Sequence, residues 1–427
     1  MKILFINDST SNPNWGDRAA TIALMKMITE SGGEIIDKVT ELELITSTYQ
    51  RGFSEVSYGT ERRSIKEIVK TCIPPVAFTI KEKIFSLINR SDDGTHIPRR
   101  WDEYDSCLKF TTENPDILSG LYDTIQQADL VVIHGGGSMT GNGMLPRAIL
   151  FLTYVVKKHF NKPVIITNHT VDFEQQEMLD IARNIYPLFD DVVFRDVVSV
   201  EKCKSICDGR YAPDSAFLFE PYPLETWLPV AQRSTYFDVW PDIAHFDPGK
   251  PYICLGGSSL YPYLNDPSSP VEGYIKLVDH LSTIYPDQIV LTVSDGRDQG
   301  IFQPIAKRFN LPLVGLSTPV QQAVDIIGNS AAYIGGRWHP SIFALRGGVP
   351  IIPISSKTFK MQALATMSGL ASTAFDATKL DTEKERIGQE LLNHLNKGNE
   401  MRRNLHKWAE HQSERCWGNV SYLQNKQ

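Results

Sequence analysis

Tyr333-Ile-Gly-Gly-Arg-Trp-His-Pro-Ser-Ile-Phe-Ala-Leu-Arg-Gly-Gly-Val-Pro-Ile-Ile-Pro-Ile-Ser-Ser-Lys-Thr-Phe-Lys360 is the stretch on which the fold turns. An apolar run, Ala331 to Ile334, ends in two glycines and a charged turn. Pro340 then opens an apolar helix that closes at Gly347-Gly348, and Pro350 to Ile354 makes a second strand. The unit is therefore a strand, a loaded turn, a helix and a parallel strand. In such units the turn lies at the carboxyl end of the strand, where open parallel sheets bind ligands and a helix amino terminus offers unpaired N–H groups to an anion. Arg337 and His339 occupy that turn. A guanidinium suits bidentate contact with a carboxylate or phosphate, and an imidazole passes protons near neutral pH. Taken alone, Arg337 reads as a sheet cap and His339 as a packed polar corner. Set together between a Gly-Gly and a helix start, they read as a site.

The same alternation extends upstream. Tyr252 to Leu255 is a strand ending in Gly256-Gly257-Ser258-Ser259, and Gly273 to Ile284 a helix. Gln288 to Val293 is a strand ending in Ser294-Asp295-Gly296, Pro304 to Phe309 part of a helix, Leu313 to Gly315 a short strand and Val320 to Gly328 a helix. Polar helices from Asp381 to His411 close the chain.

The amino-terminal half repeats the pattern. Lys2 to Asn7 is a strand, and a polar loop leads to Asp17, read as the cap of a helix through Ile28. Asp129 to His134 runs into Gly135-Gly136-Gly137-Ser138, glycines that let successive N–H groups face a ligand oxygen. No Gly-Lys-Ser/Thr comes after them, so this is not a P-loop. A helix (Leu145 to His159) leads to the strand Pro163 to Asn168, with His169, Thr170 and Asp172 at its end. A further helix (Glu174 to Leu188) precedes the strand Asp191 to Arg195, and Asp196 caps the next helix. Arg195 thus stands at a strand end as Arg337 does. Phe219 to Pro251, rich in proline and aromatics, reads as a linker. The expectation is an α/β protein of two doubly wound, Rossmann-like domains facing a cleft, residues 1–225 and 226–427, with the closing helices packed back on the first domain.

Between Gly52 and Phe110 the pattern degrades into an insertion. Arg62 to Arg90 mixes apolar residues with Lys66, Lys70, Lys81 and Lys83, and Pro74-Pro75 splits it into two helical pieces. Such a basic amphipathic pair suits peripheral contact with an anionic membrane surface or a lipid-linked substrate. It equally suits two surface helices packed on the domain.

The 427 residues are long for one core. A hydrophobic fraction of 42% and a charged fraction of 22% describe an ordinary globular protein. With 43 basic and 50 acidic side chains the formal charge is -7, the wrong sign for a protein whose main partner is nucleic acid. The six cysteines are scattered, and Cys203 and Cys207 lack zinc-knuckle or disulfide spacing, so reduced thiols in the cytoplasm are expected. The first apolar run is too short for a signal peptide, and none approaches a membrane span. No metal-ligand spacing is evident.

Several stretches in register resemble the polysaccharide pyruvyl transferase family. They are Asn14-Trp15-Gly16-Asp17, His134-Gly135-Gly136-Gly137-Ser138, Phe194-Arg195-Asp196 with Ser199, Ala212-Pro213-Asp214 with Ala216-Phe217, and Arg337-Trp338-His339 with Phe343-Ala344-Leu345, Gly348-Val349-Pro350 and Lys360. The resemblance implies a fold like that of B-type glycosyltransferases. It also implies transfer of a pyruvyl ketal from phosphoenolpyruvate, a donor substrate rather than a cofactor, to a sugar of a surface polysaccharide or its lipid-linked oligosaccharide precursor. On that reading Arg195, Arg337, Trp338, Lys360 and the turn Gly135, Gly136, Gly137, Ser138 hold the donor. His339 gives a proton, Asp17 and Asp172 are base candidates, and Asn14 and His169 meet the acceptor. Trp338 stands where the family commonly has a smaller apolar residue, and the 52–110 segment has no counterpart. The same inventory would serve glycosyl transfer from a nucleotide sugar, the arginines then holding a diphosphate. A sugar-binding protein without catalysis would have no need of a proton donor.

Overall fold

The computed structural model describes residues 1–46, 49, 96–233, 236, 246–264, 269–370 and 373–426. The basic segment Arg62 to Arg90 lies outside the described residues.

The amino-terminal half is built on β1 (Lys2–Asp8), α1 (Trp15–Glu30), β2 (Glu34–Thr40), β3 (Leu130–Gly136), α2 (Met144–Lys158), β4 (Val164–His169), α3 (Gln176–Ile185), β5 (Asp191–Phe194), α4 (Val197–Cys203) and β6 (Arg210–Tyr211). Its six strands form one sheet in the order β2-β1-β3-β4-β5-β6, every pairing parallel. The carboxyl-terminal half continues with β7 (Tyr252–Ser258), α5 (Ser269–Ile284), β8 (Gln288–Thr292), α6 (Gly296–Phe309), β9 (Leu313–Val314), α7 (Val320–Gly328), β10 (Tyr333–Gly336), α8 (Trp338–Arg346), β11 (Ile351–Pro353), α9 (Lys360–Met367) and α10 (Leu380–Arg415). Here the parallel order is β11-β10-β7-β8-β9.

Parallel sheets carry helices on both faces, so their strands are apolar throughout rather than alternating. Ile3, Leu4, Phe5 and Ile6 in β1, and Ile253, Cys254 and Leu255 in β7, are all fully buried. Each large side chain among them contributes about 1.5–3 kcal/mol on leaving water. In the first sheet the even-numbered residues Leu4 and Ile6 pack with α2, while Ile3 and Phe5 meet α1 and the chain's last turns at Cys416, Val420 and Leu423. The carboxyl-terminal tail thus returns to the first sheet. Asn419 fixes it there, its Nδ2 donating to Pro213 O at 2.8 Å and its Oδ1 accepting from Thr167 Oγ1 at 2.8 Å.

α1 belongs to the first sheet by sequence, yet its opening turn is buried in the second half. Trp15, Ala19 and Ala20 join the cluster around Tyr333, Ile342 and Phe343. Trp15 Nε1 donates to Gly315 O at 3.1 Å, and Arg18 Nη2 to Leu316 O and Thr318 O at 3.3 and 3.2 Å.

Local chemistry corrects the expected helix starts. Asn14, not Asp17, caps α1, its Oδ1 accepting from the N–H groups of Gly16 and Asp17. α8 begins at Trp338 with Arg337 as its cap, so Pro340 sits inside the first turn rather than opening it. A proline costs nothing there because those N–H groups have no helical acceptor. β2 escaped the sequence reading, because its half-buried Glu-Ile-Ile-Asp-Lys-Val-Thr pattern is neither an apolar run nor a clean alternation.

Candidate functional site

The carboxyl ends of both sheets meet around a cavity of about 170 Å³. Gly137 and Thr140 reach it from the end of β3, Thr170 from β4 and Arg195 from β5. Ser259, Pro262 and Tyr263 come after β7, Asp295 and Arg297 after β8, Arg337 after β10, and Lys357, Thr358 and Lys360 after β11. Loops at the strand ends of a doubly wound fold converge in this way, which is why ligands settle there. Five basic side chains and one carboxylate line the space.

Arg195 is 2% exposed, and a buried guanidinium is stable only when its N–H groups are spent. Nε donates to Thr170 Oγ1 at 3.0 Å and Nη1 to Asp214 Oδ2 at 2.9 Å. The plane lies over the Trp338 ring, 5.2 Å from its centroid. Nη2 has no hydrogen bond among the described residues and lies beside Gly137, on the cavity side.

Asp214 is the hub beneath. Besides Arg195 it accepts from Trp338 Nε1 at 2.9 Å and the Ala216 N–H at 2.8 Å, and His339 Nε2 stands 3.6 Å away. Burial opposes its charge, but His339, Arg195 and the Ala216 N–H hold the carboxyl well below its usual range. The sequence offered it only within Ala212-Pro213-Asp214, where no charge pattern marks it as a partner of Trp338, 124 positions away.

Arg337 has a different partner. Nε and Nη2 form a fork on Asp298, at 3.0 and 2.7 Å, and Nη1 reaches Asp295 at 3.3 Å. Burial works against the charge, but the two carboxylates hold the guanidinium above its ordinary value. Three of its five N–H groups are committed, leaving two for a ligand. Asp295 also caps α6 by accepting from the Arg297 N–H. The sequence held both acids in Ser294-Asp295-Gly296-Arg297-Asp298, legible as a helix start but not as a clamp.

Lys360, at the first position of α9, lines the cavity and makes no hydrogen bond or salt bridge among the described residues. Burial, then Arg195 and Arg337, push its ammonium down to about 7, against the opposing pull of Asp17 and Asp295.

His339 is near the cavity without lining it. Its Nε2 is 3.5 Å from Arg195 Nη1, and Nδ1 is 3.9 Å from Asp17 Oδ1. The imidazole fills the space over Gly16 so closely that a Cβ there would lie 2.1 Å from Nδ1. Asp17 is half-buried at the edge of this contact. Trp338 is buried under Arg195 rather than presented to a ligand.

His169, Asp172, Asn14 and most of the glycine turn do not line this cavity. His169 is fully buried, its Nδ1 on Val193 O at 2.9 Å and its ring against Phe194 at 4.6 Å between centroids, so it cannot meet an acceptor. Burial lowers its pKa to about 3, which keeps the ring neutral. Asp172 is held by Lys202 at 2.5 Å, and its backbone pins the Met139–Gly141 loop. Asn14 spends its side-chain carbonyl on the α1 cap. Of the glycine turn, only Gly137 reaches the cavity. Gly135 is there because a Cβ would lie 2.4 Å from that of His169, and Gly136 has φ +50. The Ser138 hydroxyl accepts from Asn7 Nδ2 at 3.2 Å instead of facing a donor.

Among the described residues no helix is long and apolar enough to cross a membrane. The sequence matches the family described as polysaccharide pyruvyl transferase over residues 69–358, more than half of the chain. No curated protein sequence matches it. Its fold is similar to that of UGT89C1 from Arabidopsis thaliana complexed with UDP-L-rhamnose, at 13% identity and TM-score 0.54, covering 100% of this chain and 98% of that one. Spinosyn rhamnosyltransferase SpnG is similar at 12% identity and TM-score 0.53, with both chains fully covered. UDP-GlcNAc 2-epimerase from Neisseria meningitidis bound to UDP-GlcNAc is similar at 12% identity and TM-score 0.51, covering 97% and 99%. The fold is that of B-type glycosyltransferases and epimerases, and the family match identifies a transferase.

Proposed function

We propose that this chain, which belongs to the polysaccharide pyruvyl transferase family, acts in the cytoplasm to transfer a pyruvyl group from phosphoenolpyruvate to a sugar of a polysaccharide or its lipid-linked precursor, forming a ketal. The observation that carries this reading is the match of size and charge. A space of about 170 Å³ lined by five basic side chains and one acid suits a small, multiply charged anion.

In this reading Arg195 Nη2 and the remaining N–H groups of Arg337 take the donor's carboxylate and phosphate, as charge-assisted hydrogen bonds. The Lys360 ammonium gives its proton to the methylene carbon, which becomes the methyl group. The central carbon turns electrophilic and one sugar hydroxyl adds to it, losing its proton to a base for which Asp17 is the candidate. Phosphate leaves with the carbon–oxygen bonding pair, the cations stabilising its charge, and takes the proton held by Asp17; a second hydroxyl then closes the ketal and returns its proton to the Lys360 amine. The products are the ketal and inorganic phosphate, and no cofactor is required. His339, behind Arg195 and between Asp17 and Asp214, positions these groups.

The test is a thermal-shift titration of the full chain with phosphoenolpyruvate and, separately, with nucleotide diphosphates, since a ligand raises stability according to its occupancy. Stabilisation by phosphoenolpyruvate that disappears in Arg195→Lys supports the reading. Stabilisation by nucleotide diphosphates alone would replace it with glycosyl transfer.

A further inference from the structure

The cavity has two chemically different ends. Arg195 and Arg337 are 2% and 8% exposed, whereas Tyr263, also lining the cavity, is 56% exposed, an aromatic ring at the rim. This ring does not hang on a loose loop. It ends a tight turn, Tyr261–Tyr263, whose first residue is buried and bonded through its hydroxyl to that of Tyr274 at 3.1 Å, and whose middle residue is a proline of fixed φ. The turn is tied back by Leu260 N donating to Ser258 Oγ at 3.1 Å and Tyr263 N to Leu260 O at 3.0 Å. An ammonium, Lys357 Nζ, stands 4.0 Å from the ring centroid, and the Lys357 N–H reaches Ser259 Oγ at 3.4 Å. The same ammonium also faces the other half of the protein, where a Cβ on Gly141 would lie 3.8 Å from it. Ser259 and Thr140, whose hydroxyls meet the Lys357 N–H and Gly137 O, line the cavity beside it.

A rigid, exposed aromatic ring bordered by hydroxyls and an ammonium fits a pyranose, whose C–H face is apolar and whose rim is a ring of hydroxyl groups. We propose that Tyr263, with Lys357, Ser259 and Thr140, is the acceptor subsite, stacking under one sugar ring and directing two of its hydroxyls at a donor held by Arg195 and Arg337. The inference rests on the pyruvyl-transfer reading for what the donor is, but the sugar platform is a binding site in its own right. The depth order explains the division of labour: the small anion enters first and is covered by the sugar, which keeps water from the reacting carbon.

The experiment compares wild type, Tyr263→Ala and Tyr263→Trp on a panel of aryl glycosides. Three quantities are read: phosphoenolpyruvate binding by thermal shift, acceptor KM and kcat by product formation, and direct glycoside binding by saturation-transfer NMR. Tyr263→Ala should raise the acceptor KM or dissociation constant by about tenfold or more, with donor binding within about twofold, and Tyr263→Trp should restore most of the loss. An acceptor constant unchanged in Tyr263→Ala, a loss of donor binding equal to the loss of acceptor binding, or no glycoside signal on the wild-type protein would each overturn it. Failure of the pyruvyl reading shows separately, as wild type that binds glycoside through Tyr263 but not phosphoenolpyruvate.

Discussion

Removing the charge of Lys360 tests the donor site at its most sensitive point. With its ammonium pushed down to about 7, Lys360 is only about one-tenth protonated at pH 8 and about one-hundredth at pH 9. A phosphate dianion in the cavity restores the proton, because the opposite charge favours the ammonium. Binding therefore takes up a proton above pH 7. Affinity should fall towards tenfold for each pH unit between 7 and 9, a range in which a phosphate ester has finished ionising, its second pKa being about 6. Lys360→Met should abolish that slope and weaken binding at pH 7 by roughly 10- to 100-fold, the range for a charge-assisted hydrogen bond of about 1.5–3 kcal/mol. Isothermal titration calorimetry with phosphoenolpyruvate at pH 7, 8 and 9, in buffers of different ionisation enthalpy, counts the proton directly. A flat affinity with no proton uptake would refute the linkage. Stability carries the opposite sign. A lysine whose folded value lies below its ordinary 10.5 costs most when charged, so its contribution should improve as pH rises from about 7 to 10.5, and Lys360→Met should melt higher than wild type at pH 7.

Asp298→Asn should lower stability by about 3–5 kcal/mol in urea melts, because it leaves the buried Arg337 without its fork, and a loss under about 1 kcal/mol would show the pair to be dispensable. His339→Asn should remain folded yet lose donor affinity and turnover together, since the ring supports Arg195. A loss confined to turnover, of roughly 10²- to 10⁴-fold, would instead make His339 the proton donor. Gly16→Ala should displace the imidazole, with its Cβ 2.1 Å from Nδ1, and depress turnover although alanine suits a helix better. Wild-type turnover would show that the contact has slack.

What the sequence disclosed came from local periodicity. The buried strands β3, β4, β7 and β10 announce themselves as apolar runs ending in Gly or polar turns, and the positions of Arg195 and Arg337 at strand ends are legible from that alone. Partners were not. That Arg337 would be forked by Asp298 and Arg195 by Asp214 depends on which loops meet in space, and neither pairing leaves a mark on spacing. His169 shows the same limit from the other side. A histidine at a strand's carboxyl end looks like a ligand, but Gly135 lets its ring sink against Phe194, and the burial that makes it neutral also removes it from the cleft. Lys357 and Tyr263 sit beyond the strands on turns with no periodic signal, so the outer end of the cavity became visible only with the fold.

The most direct measurement is mass spectrometry of the products after incubating the wild-type chain with phosphoenolpyruvate and a panel of aryl or lipid-linked glycosides. One pyruvyl ketal on the sugar is expected for each phosphate released, and no product from Arg195→Lys at donor levels that saturate wild type. Transfer of a sugar from a nucleotide donor, with phosphoenolpyruvate untouched, would contradict pyruvyl transfer.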